Sequence, residues 1–256
     1  DNQHHTQFSL PEKNQTETGV IESLHIVNNY LYIGTFSNSA FVLNMNTGNI
    51  HSLKNDIPSV PIRSIVSTND HEEVWLGTDG NGIYVLNAHT HQLETRYITN
   101  EDDPNSLSGN TVSDLYIDEH NCIWVTTSTN GISVFDSQIN NIKRVTHELN
   151  NNNSLMSNHI NTIMEDSDGD IWYGTNNGIS LFRKKRKEWS HFLNLQKKDT
   201  GQSTVILALC EDNHKNVWAG GYGTGVFCID KQNGKIIQLE KYEQQSNKGI
   251  TTDYVY

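Results

Sequence analysis

At 256 residues, with 30 acidic against 18 basic side chains, the chain carries a net charge of −12. That balance excludes a nucleic-acid partner, whose phosphates would be repelled by most of such a surface, and it disfavours a bare anionic membrane. Hydrophobic residues make up only 34%, which suits repeated thin layers better than one large interior, and no apolar run approaches the ~18 residues of a membrane span.

Taken in chain order, the elements repeat. Thr6-Gln7-Phe8-Ser9 is an outer-strand pattern. Ile21–Leu24 alternates as a first strand, Asn28-Asn29 forms a short turn, Leu31-Tyr32-Ile33-Gly34-Thr35 is a second strand, and Ser39–Val42 a third. The sequence then starts again with Ile62–Ile65, Val74-Trp75-Leu76-Gly77-Thr78, Gly82–Val85 and an outer Thr95–Ile98. A third round runs through Val112–Leu115, Ile123-Trp124-Val125-Thr126-Thr127 and Gly131–Val134. The fourth is the most complete. Ile160–Met164 is followed by the turn Asp166-Ser167-Asp168-Gly169-Asp170, then Ile171-Trp172-Tyr173-Gly174-Thr175, the turn Asn176-Asn177-Gly178, Ile179–Phe182 and Trp189–Phe192. A fifth contains Ile206–Leu209, Val217-Trp218-Ala219-Gly220-Gly221 and Gly225–Phe227. Ile250–Tyr256 aligns with the first-strand stretch Asn110–Tyr116.

One phrase therefore recurs: aliphatic, aromatic, any residue, Gly-Thr. Its aromatics Tyr32, Trp75, Trp124, Trp172 and Trp218 are spaced at 43 to 49 residues. Four short antiparallel strands joined by Asn, Asp and Gly turns, repeating every ~40–50 residues, specify an all-β propeller of four-stranded blades. The repeats span residues 20–58, 60–99, 110–147, 158–193 and 204–243 of a single propeller segment, with partial strands at 4–10 and 249–256. The ring is either incomplete or closed by its two ends, and the polar start at Asp1 reads as that of a mature or excised piece.

A residue type that recurs at one position of every blade packs the blades. The phrase aromatics are therefore wedges, each removing about 150–250 Å² from water. Gly-Thr closes the second strand, allowing close backbone approach and offering a hydroxyl to turn amides. Cys122, Cys210 and Cys228 are odd in number and lack CxxC spacing, so they read as small buried hydrophobes. Asp166–Asp170 resembles a calcium loop, but its glycine comes fourth and Asn177 stands where the twelfth-position Glu belongs, so it is a hairpin turn. Arg183-Lys184-Lys185-Arg186-Lys187 falls between third and fourth strands, as a solvated tip or a partner contact. The histidines form no HExxH, and no nucleophile elbow, phosphate loop or isolated pair of carboxylates is present. No cofactor or metal is expected.

Function is then to be sought where the blades differ. Fourth-to-first connections (101–106, 150–154, 196–201) and second-to-third turns fall at one end of each blade. Their amide, hydroxyl and carboxylate groups with an occasional aromatic suit a polyhydroxyl ligand, although turns are made of such residues anyway. Phe36, Asp79, Asn130, Asn176 and Tyr222 are the turn candidates, and Arg63 is added from the second positions of the first strands, where Glu22, Arg63, Ser113 and Asn161 differ.

The pattern from Ile160 through Phe182, I…D…G-x-I-W-x-G-T-x-x-G-I-x-x-[FL], resembles the two-component regulator propeller repeat, and the likeness extends over five units. The Gly-His and Trp-Asp marks of WD40 blades are absent. The resemblance implies a seven-bladed propeller in the periplasmic sensor portion of a hybrid histidine kinase of Bacteroidetes. Such proteins carry a β-sandwich, a membrane span, a kinase and a DNA-binding regulator beyond their propellers, none of which is in this segment. It implies a non-enzymatic domain that responds to an oligosaccharide, with the remaining sensor domains of the parent chain and a homodimer as further partners. A scaffold without a ligand of its own and a propeller glycoside hydrolase or lyase are the rival readings.

Overall fold

A computed structural model describes residues 10, 20–100, 102–103, 105–136, 141–193, 203–231, 233–239 and 255. The expected partial strands at 4–10 and 249–256, apart from Leu10 and Val255, and the connection 196–201 lie outside them. Every element among the described residues is a strand, and the strands form five four-stranded antiparallel sheets, each in simple sequential order. The first blade comprises β1 (Ile21–Val27), β2 (Tyr30–Thr35), β3 (Ala40–Asn44) and β4 (Ile50–Ser52). The second comprises β5 (Ile62–Ser67), β6 (Glu73–Thr78), β7 (Ile83–Asn87) and β8 (Leu93–Tyr97). The third is β9 (Val112–Ile117), β10 (Cys122–Thr127), β11 (Ile132–Asp136) and β12 (Asn141–Val145). The fourth is β13 (Ile160–Glu165), β14 (Ile171–Thr175), β15 (Gly178–Arg183) and β16 (Glu188–Phe192). The fifth is β17 (Ile206–Glu211), β18 (Asn216–Gly221), β19 (Gly225–Asp230) and β20 (Ile236–Leu239). The chain divides into two compact units: Asp1–Thr99 with Asn110–Val112, and Asn100–Gly109 with Ser113–Tyr256.

Within each unit, neighbouring blades meet through thin apolar layers. In the first, Tyr32, Val42, Leu53 and Ile57 pack against Ile62, Ile65, Val74 and Leu76 of the next blade. In the second, Trp124 and Ile132 meet Ile160, Ile163 and Tyr173, and Trp172 and Leu181 meet Ile206, Val217, Ala219 and Phe227. Tyr32, Trp124 and Trp172 are thus the wedges their repetition indicates; Trp172 and Tyr32 are fully buried. At about 25 cal/mol per Å², each such ring contributes several kcal/mol. Trp218 is the exception, only partly buried, because among the described residues little beyond Val255 lies on its side of the fifth blade.

The phrase glycine is fixed by the same contact. A Cβ on Gly34 would lie 2.8 Å from Cβ of Ile62, one on Gly174 2.9 Å from Cγ2 of Ile206, and one on Gly220 2.7 Å from Cγ1 of Val255. Gly34 and Gly174 thereby let the first residue of the next blade's first strand close onto the sheet. Val255 takes this place three residues beyond the position given by aligning the C-terminal stretch with Asn110–Tyr116.

The phrase threonine closes the turn behind it. Oγ of Thr35, Thr78, Thr127 and Thr175 donates to the carbonyls of Ser39, Gly82, Gly131 and Gly178 at 2.7–2.9 Å, and accepts a turn amide from Asn38, Asn81, Asn130 and Asn177. In the fifth blade Gly221 replaces it, and the hydroxyl of Thr224 occupies the space its side chain would fill.

The cysteines depart from expectation. Cys210 is exposed, while Cys122 and Cys228 are half-buried. Cys210 lies beside the same 360 Å³ apolar hollow that Trp218 lines.

Candidate functional site

The two ends of a blade use their polar residues differently. At the turn between first and second strands, the carboxylate of Asp166 accepts the backbone N–H groups of Asp168 and Asp170 (2.9 and 3.1 Å) and the indole N–H of Trp172 (2.7 Å). Asp118 does the same for His120, Cys122 and Trp124, and Asp212 for His214, Asn216 and Trp218. In the second blade Thr68 bonds the turn and Glu73 takes the Trp75 indole. Asp166–Asp170 is therefore a clasp between turn and wedge, with its carboxylate lone pairs committed.

Lysines from the following blade complete the clasps. Lys231 contacts Asp166 (3.0 Å), Asp168 (3.1 Å) and Glu211, and Lys184 contacts Asp118 (3.4 Å) and Glu165 (3.3 Å), which also accepts from the Tyr116 hydroxyl. Burial would raise the Asp118 carboxyl, but the Trp124 indole, turn amides and Lys184 together hold it below its usual range. Hydrogen bonds from Lys215 and Lys231 bring Asp168 to about 2. A 140 Å³ cavity beside this cluster is lined by Asp166, Asp168, Asp170, Arg183 and Lys231. The charges of Asp166 and Lys231 serve the turn and wedge.

The opposite end is built on a bulge. The pairing of first with second strand skips one residue in four blades: Glu22 in β1, Arg63 in β5, Asn161 in β13 and Leu207 in β17. A bulged residue re-aims its side chain out of the ladder. Opposite it stands the residue after Gly-Thr or Gly-Gly, whose N–H donates to the carbonyl just before the first strand. These bonds run from Phe36 to Val20 (2.8 Å), Asp79 to Pro61 (3.0 Å), Asn176 to His159 (3.2 Å) and Tyr222 to Val205 (2.9 Å). A fixed backbone frame thus presents two side chains in each of these four blades, and these vary: Glu22 with Phe36, Arg63 with Asp79, Asn161 with Asn176, and Leu207 with Tyr222; Ser113 and Ser128 hold the corresponding sequence positions of the third blade.

In the first unit the frame gathers four of these residues. Arg63 donates through Nη2 to Asp79 Oδ2 (2.7 Å) and through Nη1 to Glu22 Oε2 (3.0 Å), reaching into the neighbouring blade. Its guanidinium lies 5.9 Å from the ring centroid of Phe36, within cation–π range. The Asp79 hydrogen bond raises the Arg63 pKa further. Phe36 is 49% exposed, and the Arg63 and Asp79 side chains each 35%. Three of the six sequence candidates, Phe36, Arg63 and Asp79, therefore form one group, joined by Glu22, which the sequence marked only as a strand position.

In the second unit the amide of Asn161 bonds Asn176 (3.0 Å) and the carbonyl of Ile206 (3.0 Å), the hydroxyls of Ser113 and Ser128 meet at 3.0 Å, and Tyr222 is 54% exposed. Asn130 stands apart from the frame. Its N–H bonds Thr127, its side chain bonds Thr129 and lies over Gly109, and Ser128 holds the framed position. Counting from the phrase threonine is the signal that identifies Ser128.

Five four-stranded blades, four of them clasped at the first turn and four framing a bulged side chain at the other end, define a β-propeller. Residues 106–129 and 154–177, in the third and fourth blades, match the family described as two component regulator propeller. Solved structures agree in fold. The chain superposes on the extracellular domain of BT4673 from B. thetaiotaomicron, assigned to a hybrid two component system, with a TM-score of 0.74 and 20% identity, covering 98% of this chain and 31% of that one. The corresponding domain of BT3049 from the same organism gives a TM-score of 0.69 and 17% identity, covering 89% and 31%. Histidine kinase P4 of Formosa agariphila is 30% identical over 122 residues, 44% of this chain and 8% of that protein. The chain thus spans under a third of these structures' chains and under a tenth of the kinase. No helix among the described residues is long and apolar enough to cross a membrane.

Proposed function

We propose that this chain is a non-catalytic part of the periplasmic sensor portion of a hybrid two-component signalling protein, and that it detects a glycan and relays its presence to a histidine kinase. The observation that carries the reading is the framed group Glu22–Phe36–Arg63–Asp79. It sets hydrogen-bond donors and acceptors beside an exposed aromatic face, at a position where the blade scaffold holds constant and the side chains do not. Sugar rings offer hydroxyls to the first and a C–H face to the second. The family match and the extracellular neighbours supply the signalling context. A bound ligand shifts the signalling equilibrium only to the extent that it prefers one arrangement of the receptor over the other.

The test is thermal denaturation of the chain against a panel of plant, host and microbial oligosaccharides, with product analysis on every sample. A selective rise in melting temperature that follows RT ln(1 + [L]/Kd), with the oligosaccharide recovered intact, is expected. Cleavage of any member would replace the sensor with a propeller hydrolase or lyase. Silence across the panel would leave the blades as a scaffold.

A further inference from the structure

We infer, resting on the sensor reading above, that the ligand read by the Glu22–Phe36–Arg63–Asp79 group is an uncharged oligosaccharide, and that glycans bearing uronate or sulfate are rejected there. The group contains one cation between two carboxylates, a net charge of −1. Arg63 is the group's cation, and Asp79 and Glu22 hold it from both sides through separate nitrogens. An anionic ligand reaching for the guanidinium meets both carboxylates at nearly the same range, so two repulsions oppose one attraction.

A hydroxyl has no such conflict. It donates to a carboxylate oxygen of Glu22 or Asp79 while accepting from an N–H of Arg63 that has no partner among the described residues, so one sugar oxygen is served by the existing pair without breaking it. Phe36 offers a half-exposed ring for the apolar face of the same sugar. The backbone frame fixes these positions before any ligand arrives, since Phe36 and Asp79 are each tied by their own N–H to the carbonyl preceding the first strand of their blade. Arg63 is thereby a specificity-determining residue because of its partners: its charge is already neutralised, and its remaining donors serve as dipoles.

The experiment is calorimetric titration of the full chain with xylohexaose and mannohexaose as neutral probes, and with tri-galacturonic acid and a heparin disaccharide as anionic ones. It is run at about 50 and about 500 mM NaCl, and repeated with Phe36→Ala and with the double variant Glu22→Gln, Asp79→Asn. The inference is supported if a neutral probe binds with a Kd that changes less than about twofold with salt and rises at least about tenfold in Phe36→Ala, and if the double variant gains binding of an anionic probe. Tighter binding of an anionic probe by the unmodified chain overturns it while leaving the sensor reading intact. Undiminished neutral binding in Phe36→Ala also overturns it, because the ligand then sits elsewhere. Failure of every probe overturns the glycan reading itself, and this inference with it.

Discussion

Replacing Asp166 by alanine tests whether the clasp is what fixes the turn and wedge of the fourth blade. The substitution leaves the indole N–H of fully buried Trp172 without an acceptor, which costs about 1–3 kcal/mol. Two turn amides lose their acceptor as well; because that turn is partly exposed, water replaces much of each, leaving about 0.5–1 kcal/mol apiece. Lys231 keeps Asp168 and Glu211 and remains paired. The sum is about 2–5 kcal/mol of lost stability. Asp166→Asn retains one oxygen for the buried indole while its NH2 faces the two turn amides, which lose their acceptor, so about 1–2 kcal/mol is expected. Urea unfolding, with hydrogen exchange read across β13–β15, separates these values as shifts in midpoint at constant slope. Equal losses for the two variants, or a loss below about 1 kcal/mol for alanine, would refute the account.

Two glycines with positive φ distinguish backbone conformation from packing. Gly178→Ala, at φ 105° with the carbonyl oxygens of Phe192 and Leu193 at 2.6 and 2.7 Å from the new methyl, is expected to lose over 3 kcal/mol, whereas Gly80→Ala, at φ 95° with nothing within 4 Å, loses about 1 kcal/mol. Thermal melts of the two proteins check this. Lowering the pH should destabilise the second unit late. Asp118, Asp168 and Asp212 have folded pKa values held below the ordinary carboxylate value, so their contributions are complete above about pH 4 and are lost as pH falls through the folded values, near 2 for Asp168. A melting temperature that falls between pH 6 and 5 would contradict this unless the loss lies in the first unit. There, His25 and His91 have pKa values lowered by burial first and by neighbouring histidines second. Stability from such groups is present above about 6.5 and falls as the imidazoles take protons, so the hydrogen-exchange protection factors of β1 and β7 should fall between pH 7 and 5.

The blade count, strand order and wedge positions were legible because each blade solves the same packing problem with the same residues. Trp124 and Trp172 recur because each must fill the layer against the next blade. The frame was half legible. Phe36, Asp79, Asn176 and Tyr222 follow the phrase directly, so counting locates them. The link from Arg63 to Glu22 joins residues 41 apart in different blades, and a pattern read within one repeat carries no information about which neighbour a bulged side chain meets. Cys210 and Trp218 misled for a related reason: burial is decided by what lies on the far side of the sheet, and hydropathy records only the near side.

The contrast between the two blade ends also explains why variation collects where it does. At the clasped end, one carboxylate serves two turn amides and a buried indole, so most substitutions there strand a buried donor. At the framed end, the hydrogen bonds that hold the backbone run from main-chain N–H to main-chain carbonyl. They are indifferent to the side chain, which is why Phe36, Asp79, Asn176 and Tyr222 occupy equivalent positions with unrelated chemistry. A change of ligand then requires only a change of side chain on an unaltered frame, at a cost set by exposed groups. Exchanging Phe36 for Asp or Asp79 for Asn should accordingly alter binding while moving the melting temperature by only a few degrees, and a collapse of stability in either would show that the frame depends on those side chains after all.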